Sequence, residues 1–387
     1  MKGGVLFQAL VLLLLCTPAL AQRQCPSEPV MAAVEAFVQA AEGTQDPTPA
    51  QRDVLTSLAS RRDAACSGDP VQFQGMPGAF HAFDVDVDLQ TILETLYHPD
   101  IPSNMIIPSS VRCTKWLEVA GENATEVPPL APALSRPNAT RIIRGVEQET
   151  NTPDLFTGSY YTYRQHRLLV LSNAAQGQPV LISVAAQQDI SEVGHKGRVI
   201  GDDTLWTYYY SGEKGVNKTG LGWVDSHIFD GVSITLYSQV PDSRRTRVTT
   251  MKWLNAGWMG MNMVKPKHIQ AGLERFAAGL TRVLESPQFP APDHLVQVGR
   301  WLERQPQQQL AQWRTALAQS RPEAPFPTDC EELTMACDVK YARSMSHNSL
   351  VCAVGLEFMK WRLGLSSAPA DEICRQIFAP VLQNPKG

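Results

Sequence analysis

The segment WVDSHIFDG contains the residues whose types and spacing best fit catalysis, namely Asp225, His227 and Asp230. A carboxylate and an imidazole two residues apart face the same side of a strand, where they could transfer protons or bind a metal. Ser226 lies between them and could act as a nucleophile. The chain contains neither a G-x-S-x-G nor an H-E-x-x-H motif. We therefore interpret the segment as a loop or sheet edge, with a secreted hydrolase-like enzyme that uses these three residues as the alternative.

A second group of side chains could bind an apolar molecule without reacting with it. These residues are mostly aromatic and lie in predicted strands, a pattern that protein cores also show. The segment GWMGMNM adds two glycines that permit close approach and three adaptable methionines. The candidate ligand-binding residues are Trp116, Tyr163, Trp206, Tyr208, Tyr210, Tyr237, Trp253, Trp258 and Met261.

The cysteines predict disulfide bonds and therefore an oxidising compartment. Of the eight, Cys16 falls within a predicted signal peptide and seven remain. Cys25 and Cys66 enclose two helical patterns, so a bond between them would close a helical hairpin. Four cysteines lie near the C-terminus and predict two further bonds, in any of three pairings. These four are Cys330, Cys337, Cys352 and Cys374. Cys113 is then left unpaired. These spacings lack the short cysteine pairs of zinc sites, so we predict neither a metal nor another cofactor.

The N-terminus resembles a secretory signal peptide. Lys2 precedes an apolar run over residues 5–16, and the small residues Ala19 and Ala21 fit a cleavage site near Ala21. We expect the mature chain to be exported, either to the periplasm or out of the cell. Later apolar runs are too short for a membrane-spanning helix, so we expect no transmembrane anchor.

The charge balance excludes one class of partner. Without Lys2 the chain has 33 basic and 38 acidic side chains, a formal charge of −5. It has no run of Lys and Arg of the kind that binds nucleic acid or an anionic membrane. We therefore predict no nucleic-acid partner, and the sequence identifies no protein partner.

Hydrophobic periodicity predicts helices at both ends of the chain and strands between them. Two short helices over 29–62 precede a strand over 80–89, a helix over 89–97 and a strand over 111–119. The segment 121–154 is rich in Pro, Asn and Thr and is predicted as an insertion. Four further segments without intervening helices predict an antiparallel meander, at 160–171, 180–187, 204–211 and 232–240.

The clearest helical pattern covers residues 266–285, after the strand-like run RVTTMKWL. Pro266 suits the first position of a helix. The apolar residues recur at steps of four, three, four and three and form one stripe, Ile269, Leu273, Phe276, Leu280 and Val283. The predicted organisation is a signal peptide (1–21), a helical hairpin (22–78), an α+β domain (79–286) and a helical, disulfide-rich region (293–387).

Two segments carry a resemblance to a known family. FDVDVDLQTILETLYHPDIPS is similar to the opening strand and helices of the START-type helix-grip superfamily, and TTMKWLNAGWMGMNMVKPKHIQAGLERFAAGLTRVLE to its last strand and closing helix. The resemblance covers about residues 80–285. It implies an α+β fold in which a curved antiparallel sheet grips the closing helix around an apolar cavity. It also implies binding of a hydrophobic small molecule or lipid without catalysis, and a protein-interaction module is a further alternative.

Overall fold

The computed structural model describes most of the chain between residues 26 and 383. The predicted signal peptide, Cys25, Cys66 and Cys330 lie outside the described residues, and so does the side chain of Cys337. The described ranges are 26–43, 45–59, 72–120, 127–135, 140–173, 177–218, 222–321 and 335–383.

Helices occupy both ends of the described chain, and strands occupy its middle. The helices are α1 (Glu28–Glu42), α2 (Pro49–Ala59), α3 (Leu89–Thr95), α4 (Pro266–Leu284), α5 (Pro292–Glu303), α6 (Gln307–Gln319), α7 (Met335–Ala342), α8 (His347–Arg362) and α9 (Ala368–Gln383). The strands are β1 (Gly78–Val85), β2 (Val111–Ala120), β3 (Arg141–Asn151), β4 (Ser159–Tyr160), β5 (Thr162–Asn173), β6 (Pro179–Gln187), β7 (His195–Val199), β8 (Tyr208–Lys214), β9 (Val216–Lys218), β10 (Gly222–Val224), β11 (Ser226–Gln239), β12 (Thr246–Trp258) and β13 (Met261–Asn262).

One large antiparallel sheet forms the centre of the fold. Its strands lie in the order β1, β12, β11, β6, β5, β3, β2, and β13 pairs with the end of β12. Strands β4, β7 and β8 form a separate sheet, and β9 pairs with β10. The predicted α+β class, the large antiparallel sheet and the helices at both ends are therefore confirmed. The predicted strand over 204–211 begins later, at Tyr208, and belongs to the small sheet.

The main sheet has two different faces because side chains alternate along each strand. On the face that we call the back face, Val170, Val184, Ile234 and Met251 are fully buried in one apolar cluster with Phe37 of α1. Helix α1 packs on β5 and β6, and α2 packs on β11 and β12. The predicted N-terminal helices therefore close this face. We call the opposite side the front face.

Helix α4 lies over the front face along β1 and β12. It begins at Pro266, as predicted, and four of the five predicted stripe residues are buried, with Phe276 partly buried. The Arg275 guanidinium donates two hydrogen bonds of 2.6 Å to the Asp203 carboxylate and a third, of 3.1 Å, to the Pro153 carbonyl. Paired charges with this geometry fix the position of the helix relative to the segment before β8.

The segment 121–154, predicted as an insertion, instead contains a long strand of the main sheet. Strand β3 pairs with β2 on one side and with β5 on the other. The prediction missed it because the sequence RIIRGVEQETN is polar through most of its length. Backbone pairing on both sides stabilises this strand despite its composition.

Helices α6, α7 and α8 share a network of buried charges. Arg314 contacts Asp338 at 2.6 Å, and Arg321 contacts Glu357 at 2.5 Å. The ammonium of Lys360 lies 3.5 Å from the Glu357 carboxylate and donates to Thr207. Each charge of this network has an opposite partner, because an isolated buried charge is strongly destabilising.

The disulfide pairing differs from the prediction. Cys113 of β2, predicted to be unpaired, forms a bond with Cys352 of α8, and their Cα atoms are 5.6 Å apart. Cys374 of α9 is buried and free. Spacing along the sequence grouped the C-terminal cysteines together, whereas α8 packs against β2 and places Cys352 beside a residue 239 positions away. The bond is of a kind typical of exported proteins, and export itself stays a prediction.

None of the helices within the described ranges is both long and apolar enough to cross a membrane.

We predict that replacing both Cys113 and Cys352 by Ala lowers the free energy of unfolding by about 2–5 kcal/mol, because the bond restricts the unfolded chain. Denaturant unfolding without reductant measures the change. Cys374→Ala is the matched control and should cost only about 1 kcal/mol from the lost buried volume. Peptide mapping that joins Cys352 to another cysteine would contradict the pairing.

The buried carboxylate of Glu357 should make stability depend on pH. Burial opposes its ionisation, but Lys360, Arg321 and Arg314 outweigh burial and lower its pKa to about 2. The resulting stabilisation is therefore present above the usual pKa near 4.5 and is lost as the pH falls toward 2.

We therefore predict that Glu357→Gln lowers the free energy of unfolding at pH 7 by about 3 kcal/mol, at 1.36 kcal/mol per pKa unit, and flattens its pH dependence between pH 4.5 and 2. Urea unfolding at a series of pH values measures both effects. Glu372→Gln removes an exposed carboxylate paired with Arg375 and should leave the curve unchanged. If the free energies of unfolding of the unaltered chain and of the Glu357→Gln variant changed with pH in parallel, Glu357 would not be the group responsible for the pH dependence.

Candidate functional site

A cavity of about 740 Å³ lies between the front face of the main sheet and α4. Its volume falls in the range of sites that bind small molecules. The wall on α4 is mostly apolar and comes from Ile269, Leu273 and Phe276, beside His268 and Arg275. Leu155 and Phe156 extend the apolar part toward the solvent. Residues of α8 and of the loop after α3 also line the cavity.

The sheet forms a polar floor opposite this wall. In the antiparallel register Trp116 lies opposite Glu147, which lies opposite Gln165. Two residues further along β3, Glu149 lies opposite Tyr163 of β5. Residues two apart on a strand face the same side, so all five side chains point toward the cavity and all five line it.

These floor residues form one hydrogen-bonded network. The Gln165 amide nitrogen donates to Oε2 of Glu147 at 2.8 Å and to Oε2 of Glu149 at 3.2 Å. The Tyr163 hydroxyl donates to the other oxygen of Glu149. Arg167 places its Nε 3.0 Å from Glu147. The network therefore holds two carboxylates side by side with one guanidinium.

Burial determines the electrostatics of the floor. Glu147 is only 4% exposed, and burial raises its pKa, while the nearby Arg167 acts in the opposite direction. Burial, followed by the charge of Glu149, raises the pKa of Tyr163 well above its ordinary value. Tyr163 therefore remains a hydrogen-bond donor at neutral pH.

The rest of the floor is less charged. Tyr97 and Tyr237 meet edge to face with ring centres 5.5 Å apart, and burial raises the pKa of both. Thr235 and Thr250 share a hydrogen bond of 3.1 Å. Lys252 lines the cavity on β12, four strands away from β3.

Three of the nine residues predicted to bind a ligand line the cavity, namely Trp116, Tyr163 and Tyr237. Trp253 points to the back face and packs there in the apolar cluster. Trp258 is half-buried at the end of β12, and Met261 is exposed on β13.

Trp206, Tyr208 and Tyr210 are instead buried core residues around the small sheet. The Arg112 guanidinium lies 3.8 Å from the centre of the Tyr210 ring, a cation–π contact. The Tyr208 hydroxyl contacts Asp203, the residue that holds α4 through Arg275. These aromatic residues support the scaffold of the cavity and do not line it.

The residues predicted for catalysis do not form a common network. Nδ1 of His227 lies 3.0 Å from the main-chain oxygen of Ser191, and Asp230 accepts a hydrogen bond from the Gly231 amide. Asp225 is exposed just before β11. Within the described ranges, no three His, Cys, Asp or Glu residues lie close enough to share a metal ion.

A scan against protein-family models finds no match, and a search of curated proteins finds no similar sequence.

Sequence reasoning missed Glu147, Glu149, Gln165 and Arg167, the charged part of the floor. No periodic signal was present, because the segments 147–151 and 164–167 are polar at every position. A strand that is polar at every position does not show which of its faces lines a cavity, so the sequence could not be told from a solvent-exposed segment.

We predict that Arg167→Met lowers the free energy of unfolding at pH 7 by about 3 kcal/mol, because it leaves the Glu147 carboxylate buried without a cation. The loss should shrink as the pH falls, since Glu147 has a raised pKa and takes up a proton in the folded state. Denaturant unfolding at pH 7 and pH 4 measures the difference.

Arg164→Met is the matched control for this prediction. It removes an arginine of the same strand, β5. Arg164 pairs with Asp189 on the surface, where ion pairs contribute about 0–1 kcal/mol to stability. Equal losses in the two variants would show that Glu147 does not depend on Arg167.

Proposed function

We propose that this chain is a non-catalytic binding protein or carrier for an amphipathic small molecule or lipid, held between the main sheet and α4. The observation that carries the proposal is the 740 Å³ cavity, with an apolar wall on one side and a polar floor on the other. An apolar body would pack against α4, and hydrogen-bonding groups would face the sheet.

We also propose a helix-grip arrangement for residues 78–284. The support is the strand order, in which β1 lies beside β12 and the remaining strands follow one another to β2. Helix α4 follows the last long strand and covers the hollow side. The expected cavity was mostly apolar, and the charged floor refines the ligand from purely hydrophobic to amphipathic.

The enzyme alternative has less support. His227 is engaged with a main-chain oxygen, and its hydrogen bonds do not reach Asp225 or Asp230. A serine hydrolase needs a base within hydrogen-bond reach of its nucleophile. Ser226 is buried and lies 3.2 Å from the Tyr161 hydroxyl.

One observation favours the interaction module as a second candidate. Strands β3, β6 and β12 run in the same direction, because β5 and β11 lie antiparallel between them. The C-terminal ends of these three strands therefore lie on the same side of the main sheet. Large exposed apolar side chains follow each of these three ends and could contact a partner there. They are Leu155, Phe156, Ile190, Met259, Met261 and Met263.

We predict that Gly272→Trp weakens binding of a neutral apolar dye such as Nile red by about tenfold. A loss of about 1.4 kcal/mol of apolar contact between dye and protein lowers the affinity by that factor. Gly272 lines the cavity on α4, and a Cβ there would meet open space, so the larger side chain fits the fold and occupies the cavity. Dye fluorescence during titration measures the affinity.

Ala278→Trp on the exposed side of the same helix is the control and should bind the dye like the unaltered chain. Native mass spectrometry of the purified protein should also detect a bound lipid or small molecule. Absence of dye binding in the unaltered chain, or equal binding by both Trp variants, would refute a ligand site at this cavity.

A further inference from the structure

The floor of the cavity carries more negative than positive charge. The Gln165 amide nitrogen is bonded to both Glu147 and Glu149, so the two carboxylates are close neighbours. Arg167 contacts Glu147, and the contacts of Glu149 come from two neutral donors, Tyr163 and Gln165. With both carboxylates ionised, the two negative groups and one positive group leave a net charge of −1.

The other cations on the cavity wall are poorly placed to balance this charge. Lys252 is on β12 and Glu149 is on β3, four strand spacings apart, or about 19 Å at 4.8 Å per spacing. Arg275 is already committed to Asp203. Lys115 is on β2, beside β3, but it is exposed, so solvent screens its charge.

An aromatic ring lies beside the carboxylates. Trp116 is half-buried, lines the cavity and is opposite Glu147 in the register of β2 and β3. Indole rings attract cations through their electron-rich faces. The floor therefore combines an uncompensated carboxylate with an aromatic surface, and both open into a cavity large enough for a ligand.

We propose that the ligand carries a cationic ammonium head group, bound at Glu149 and Glu147 beside Trp116, with its apolar body against α4. This inference rests on the proposed binding function and names the chemical class of the ligand. An ammonium would donate hydrogen bonds to the carboxylates and supply the missing positive charge. A carboxylate or phosphate head would be repelled.

The test compares three probes that share a dodecyl chain and differ in the head group. Dodecylammonium, dodecanol and dodecanoate are titrated against the protein with bound Nile red, and displacement of the dye is measured at pH 7. We expect dodecylammonium to displace the dye at a concentration at least about tenfold lower than dodecanol, as a charge-assisted hydrogen bond allows. Dodecanoate should be the weakest of the three.

The variant Glu149→Gln keeps an acceptor for Tyr163 and removes the charge. It should lose the preference for dodecylammonium over dodecanol. Glu274→Gln, on the outer side of α4, is the matched control and should keep the preference. The probe series on the unaltered chain decides the question even if the variant does not fold.

The outcomes separate this inference from the proposed function. Displacement by dodecanol at the same concentration as dodecylammonium, or a preference for dodecanoate, would overturn the ammonium head group and leave the binding function standing. Failure of Nile red to bind at all would overturn both. If Glu149→Gln kept the preference for dodecylammonium, the Glu149 carboxylate would not be the group that recognises the head group.

Discussion

The unequal faces of the main sheet are the constraint on which the rest of the structure depends. The back face carries Val, Ile and Met side chains that α1 and α2 cover completely. The front face carries Glu147, Gln165, Arg167 and their neighbours, which cannot pack tightly against an apolar helix without losing their hydrogen bonds. Helix α4 therefore packs over one side of this face and leaves a hollow over the polar part.

The scaffold around the hollow is fixed by polar contacts and a disulfide bond between distant parts of the chain. Arg275 holds α4 to Asp203, and the bond between Cys113 and Cys352 joins β2 to α8. The buried charges around Glu357 and Asp338 join α6, α7 and α8 to β8 of the small sheet. The polar contacts specify one arrangement of elements, because breaking any of them leaves a buried polar group without a partner.

A cavity with a charged floor differs from the mostly apolar space expected from the resemblance. The charged groups of this floor lie together on neighbouring strands, as in sites that orient a ligand. Selectivity in such a site follows from the cost of leaving a buried polar group unpaired, so a ligand with the wrong head group is rejected. The apolar wall on α4 would contribute affinity with less discrimination.

The sequence by itself determined the local elements that have strong periodicity. It determined α4 through the stripe from Ile269 to Val283, the strands rich in aromatic and β-branched residues, and the α+β class. These depend on neighbours within one helix or strand, so spacing alone reveals them.

Only the tertiary structure decided which faces meet. It showed that the polar segment around Glu147 is a strand of the main sheet, that Cys113 pairs with Cys352, and that Trp206 and Trp253 are core residues outside the cavity. Each of these depends on contacts between residues far apart in the chain. A polar segment has the same sequence whether its strand faces water or a hollow inside the protein, because the sequence says nothing of what covers each face.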